Sequence, residues 1–87
     1  MIYEQNNISD KKFIRTFDSD VNQSELVWHM DADNRLVEVL EDSDWLFQMD
    51  NELPRPLKKG FKFEIPKETF HRVIKGTGSL KILIEED

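Results

Sequence analysis

An all-β sandwich or barrel is the fold class this sequence predicts, and three observations carry the prediction. Large apolar residues alternate with polar ones in several short runs. Clusters of Asp, Asn, Ser, Gly and Pro separate those runs at short, even spacing. Eighty-seven residues leave room for one domain and no more. Many short strands with turns at such spacing close into a sandwich or barrel. A chain this short buries roughly two-thirds or less of its unfolded surface, so its core is thin. Six Phe, two Trp and a stock of Leu, Ile and Val are enough to build it.

In chain order, residues 1–11 are polar and are expected to be partly loose unless a partner orders them, with the barrel domain running over 12–87. "KFIRTF" (Lys12–Phe17) reads as an edge strand, available to a second subunit. Glu25–Asp31 looks extended, and "DADN" turns the chain. "RLVEVLE" (Arg35–Glu41) has helical propensity, but its length and its place between turns favour a strand. Trp45, Phe47 and Met49 alternate with Leu46 and Gln48 as the next strand. Asp50–Asn51 supplies residues that tolerate the positive φ of a tight hairpin turn. "LPRP" reads as an inter-strand loop and "KKG" as a turn. Phe61, Phe63 and Ile65 alternate with Lys62 and Glu64 until Pro66, which lacks a donor and ends the strand. Phe70–Lys75 reads as extended, "KGTGS" as a turn, and Leu80, Ile82 and Ile84 as the last strand. No internal repeat, linker or low-complexity tract interrupts the pattern.

Charge and composition exclude several function classes. A net charge of −6 with scattered basic residues argues against nucleic acid, which requires a clustered positive surface. No apolar run approaches the length of a membrane span, so no membrane partner is expected. "MIYEQNNISDKKF" holds no apolar run of signal-peptide length, which gives a cytoplasmic expectation. There is no cysteine, hence no disulfide framework, zinc knuckle or thiol nucleophile. Trp28 and the phenylalanines read as core or dimer contacts, and the acidic runs "EDSD" and "IEED" as solvated surface.

"GFKFEIPKETFH" (Gly60–His71) sets Gly60, Pro66 and His71 at the spacing of the second motif of the cupin superfamily, which the chain resembles. Glu68 replaces that motif's glycine and Lys75 its asparagine. "WHMDADNRLVEVLED" resembles the first motif: His29 matches its first histidine, Asp31 stands at the second histidine, Arg35 at the glutamate and Asp42 at the glycine. The seventeen residues between Asp42 and Gly60 suit the inter-motif hairpin of small cupins. The resemblance covers about Glu25–Glu85 and implies a small cupin-like double-stranded β-helix, or jelly-roll, barrel. Because small cupins are commonly dimers, it also implies a homodimer.

The resemblance brings His71 alongside His29 and Asp31, which share a face if that segment is extended. Two imidazoles and one carboxylate are the ligand set of a facial triad, suited to one divalent metal (Fe, Mn, Ni or Zn) with open positions. Arg35 stands against this reading, because it occupies an acidic ligand's place and stays charged. Three readings follow. Asp31 and Arg35 pair in a metal-free barrel that serves as an interaction or structural module. Alternatively, Arg35 clamps the carboxylate or phosphate of a small molecule, with His29 or His71 as acid–base group, as in cupin epimerases and isomerases that act without metal. Or His29, Asp31 and His71 hold a metal for chemistry on a small polar or acidic ligand, which Arg35 orients. Gln48 is a further candidate for the lining of such a site.

Overall fold

The computed structural model describes residues 2–87. Eight strands follow in order: β1 (Tyr3–Ser9), β2 (Lys12–Phe17), β3 (Arg35–Val39), β4 (Leu46–Met49), β5 (Arg55–Pro56), β6 (Lys62–Ile65), β7 (His71–Ile74) and β8 (Leu80–Glu86). A single 3-10 turn, Gln23–Glu25, is the one helical element among the described residues. Every strand pair is antiparallel; one sheet has the order β1-β2-β8-β3-β6 and the other β5-β4-β7. This is a small jelly-roll barrel.

Period-two alternation does what the sequence predicts. Phe63 and Ile65 of β6 turn inward while Lys62 and Glu64 stay exposed, and Leu80, Ile82 and Ile84 of β8 do the same. Val37 and Val39 extend the inner face across β3, confirming a strand over the helical alternative. Phe47 of β4 meets Phe63 at 4.6 Å between ring centroids, and Phe17 meets Trp45 at 5.6 Å, which ties the two sheets together. Trp45 is fully buried and donates its Nε1–H to the carbonyl of Gly78 at 2.7 Å. A buried indole without that acceptor would carry an uncompensated donor.

Turn chemistry follows the same logic. Gly60 has φ +87° between the Lys58 carbonyl and the Phe61 amide that close its turn at 3.0 Å, a conformation that favours glycine. Glu52 N–H closes a turn on Met49 O at 3.0 Å, where Asn51 alone takes positive φ, +61°. Asp44 accepts the hydroxyl and amide of Thr77 at 2.6 and 2.9 Å, which pulls its carboxyl down to about 2.

Three segments differ from the sequence reading. Tyr3–Ser9, expected to be partly loose, pairs with β2 apart from a register shift between Asn7 and Ser9, so β2 lies inside the sheet, whose two edges are β1 and β6. A second copy pairing on this side of the sheet would meet β1, not β2. Arg55–Pro56, within the "LPRP" loop, pairs briefly with β4, at an edge where proline's missing donor is harmless. Glu25–Asp31 forms no strand and makes one isolated bridge, His29 to His71. Here a side chain replaces the ladder: Gln23 accepts from the Lys75 amide at 2.8 Å and donates to the Val73 carbonyl at 3.3 Å, as a neighbouring strand would. The Asn22 side chain caps the turn before it, accepting from Ser24 N–H at 3.0 Å.

Candidate metal centre

A cavity of about 330 Å³ opens inside the barrel. Its walls are largely apolar, including Val37, Phe47, Phe63 and Ile82, and six acidic, basic or imidazole side chains break them: Arg15, Glu25, His29, Asp31, Arg35 and His71. The sequence-predicted set His29, Asp31 and His71 is thus brought together, with candidate ligand atoms all within 4.8 Å of one another.

The elements that do this are local. Pro66 stops β6, the chain turns through Glu68, and His71 opens β7 on its inner face. Glu68 takes φ +59°, the left-handed conformation, at the place where the second cupin motif carries glycine. Its amide donates to the Asp31 carbonyl at 2.8 Å, so the turn also anchors Asp31. His29 and His71 exchange backbone hydrogen bonds of 3.0 and 2.9 Å, and their rings meet edge-on at 4.3 Å.

Both imidazoles are oriented alike. His29 Nδ1 lies 3.0 Å from the Val27 carbonyl and His71 Nδ1 lies 2.9 Å from that of Thr69, each two residues back. A carbonyl only accepts, so both Nδ1 atoms carry the proton and both Nε2 atoms keep a lone pair when the rings are neutral. His71 is 4% exposed, and its burial favours the neutral ring, lowering its pKa against the opposing Thr69 hydrogen bond. Its Nε2 faces Asp31 Oδ2 at 3.3 Å, lone pair toward lone pair. That oxygen is buried and has no hydrogen-bond donor; the Arg35 Nη1 contact at 3.3 Å supplies charge without hydrogen-bond geometry. An orphaned carboxylate oxygen beside imidazole lone pairs is what a cation would satisfy, so the residues present fit a divalent metal.

Arg35 lines the cavity, but its guanidinium is engaged. Nε donates to Glu86 Oε2 at 2.9 Å across the β3–β8 pairing, Nη2 lies 2.9 Å from the same oxygen as an ion pair, and Nη1 reaches Asp31. Glu86 therefore offsets the charge that stood against a cation here. Gln48 is not brought to the site. Alternation turns it away from the inward Phe47; its Oε1 accepts from Arg72 at 3.1 and 3.0 Å, and its Nε2 donates to the Glu52 carbonyl. Lys75, in the place of the motif's asparagine, donates to the Val21 carbonyl at 2.8 Å.

Arg15 is the cavity residue that the sequence does not announce. Phe13 and Phe17, two residues to either side, are buried, so period two puts Arg15 on the same inward face of β2. A reading of "KFIRTF" for its face as well as its edge would have found it.

No family model and no curated protein matches the chain. Solved structures do. The DMSP lyase DddQ from Ruegeria pomeroyi DSS-3 superposes with a TM-score of 0.76 at 16% identity, over 90% of this chain and 39% of that one. The cobalt(II) form of HppE in complex with Tris buffer gives 0.76 at 20% identity, over 98% and 53%. A protein from Neisseria meningitidis gives 0.65 at 17% identity, over 98% and 82%. The chain thus spans about half or less of DddQ and HppE, and at these identities the likeness is one of fold.

Proposed function

The chain has the cupin fold, and from that premise we propose that it binds one divalent metal through His29, Asp31 and His71 and receives a small polar or anionic molecule in the adjoining cavity, as a metal-dependent enzyme. One observation carries the reading: Asp31 Oδ2 is buried without a donor, 3.3 Å from the His71 nitrogen that holds a lone pair. The resemblance to cobalt-bound HppE supports it at the level of fold. When bound, the metal would supply Lewis-acid polarisation of a coordinated oxygen. The chain's own residues do the rest. The Val27 and Thr69 carbonyls fix the two imidazoles, Glu86 holds Arg35 in place, and Phe47, 5.7 Å from the His71 ring, keeps the adjoining wall apolar with Phe63.

Metal content is the direct test. Protein purified without a histidine tag, then incubated with Fe(II), Mn(II), Ni(II) or Zn(II), is expected to hold near-stoichiometric metal. His29→Ala and His71→Ala should each lose it. Absence of metal under every condition would sink the proposal. It would leave a metal-free scaffold, the reading favoured by the Asp31–Arg35 contact.

A further inference from the structure

Arg15 and Arg35 line the same cavity, yet they are held differently. Arg35 is neutralised by Asp31 and Glu86. Arg15 has no such partner: no carboxylate of a described residue lies within 4.0 Å of its guanidinium. Its Nε donates to Gln5 Oε1 at 2.9 Å, and no acceptor among the described residues takes its two terminal amino groups. The guanidinium lies over the Tyr3 ring at 4.2 Å and near the Phe13 ring at 5.0 Å, packing that fixes its plane.

A half-buried cation on the inward face of a strand, between two core phenylalanines, carries a desolvation cost. Nothing in the pairing of β2 with β1 and β8 requires it, since its cross-strand neighbours are Gln5 and Ile82. What the placement provides is an oriented fork with open donors at the cavity wall. Two arginines stand here against Glu25, Asp31 and the Glu86 that pairs with Arg35, so a divalent cation would turn the site from negative to positive. An anion would restore the balance.

We propose that Arg15 is the receptor for the oxyanion end of the cavity's ligand, a small molecule ending in a carboxylate, phosphonate or phosphate, and that Arg35 is a structural cation. This rests on the cavity's being the ligand site, and it gives that ligand a chemical class. Because Arg15 is no metal ligand, its contribution is separable from metal binding.

The test is an NMR titration of the zinc-loaded protein with acetate, methylphosphonate and inorganic phosphate, following the Arg15 Nε–H signal. At least one anion should shift that signal saturably, with an affinity that falls as salt rises. Arg15→Met should weaken binding by about ten- to a hundredfold, the range for charge-assisted hydrogen bonds. Arg15→Lys, which keeps the charge without the fork, should fall between. Zinc stoichiometry should be unchanged in both variants. The ligand-free Tm of Arg15→Met should match or exceed that of the parent, since no ion pair is lost. Equal anion affinity in Arg15→Met and parent would overturn the proposal while leaving the metal reading intact. So would the absence of binding by all three anions, or a large fall in the ligand-free Tm of the variant. If the protein holds no zinc but still binds an anion through Arg15, the inference stands and the metal reading falls.

Discussion

Burial holds the His71 imidazole below its ordinary pKa of 6.5, and the Thr69 carbonyl and Asp31 only partly offset it. The sign of the consequence is fixed. Below pH 6.5 the unfolded chain takes up a proton that the folded chain refuses, so the metal-free protein loses stability as pH falls through that value. Urea denaturation in EDTA at pH 7.5, 6.5 and 5.5 should show the loss, and His71→Asn should flatten it. An identical slope in the variant would mean that another group is responsible. The residues of the centre were legible because both histidines of the chain fall at the spacings of one resemblance. Arg15 was not, because a lone arginine in a short strand reads as solvated until the face it shares with Phe13 and Phe17 is known.

At the scale of elements, the β6–β7 turn stores strain where it anchors the site. Glu68 at φ +59° pays a left-handed penalty of roughly 1–2 kcal/mol that glycine avoids, against its own entropic disadvantage of roughly 0.5–1 kcal/mol. Glu68→Gly is therefore expected to stabilise by about 1 kcal/mol or slightly less. Thermal unfolding should register this as a rise of a few degrees in Tm, with the amide bond to Asp31 preserved. An unchanged or lower Tm would show that the Glu68 side chain offsets its backbone. Strand ends at Pro66 and the turn at Gly60 were readable, since each rests on one residue's backbone chemistry. The extended reading of Glu25–Asp31 failed for a different reason. Extended-looking residues do not by themselves make a ladder: Gln23 bonds β7 through its side chain, and His29 alone of the stretch pairs through its backbone.

For the whole molecule, the radius of gyration of 12.0 Å matches the roughly 12 Å expected of a compact chain of this length. The fold class was legible because alternation and turn spacing are properties of many residues at once. The place of β1 was not, because its polar sequence gains a strand only through pairing with β2. Two of the three candidate ligands, His29 and Asp31, sit on a stretch outside both sheets. The Gln23 side chain, the His29–His71 bridge and the Glu68 amide fasten that stretch, while His71 belongs to β7. An ion held between them would then have a residence time set by the opening of a few bonds, not by the unfolding of the barrel. Amide hydrogen exchange should find residues 22–31 faster than β8 in the metal-free protein and selectively slowed by Zn(II). Uniform protection, with or without the ion, would refute this. On that footing, cellular supply of the metal, more than the protein's own lifetime, would decide how much of it is loaded.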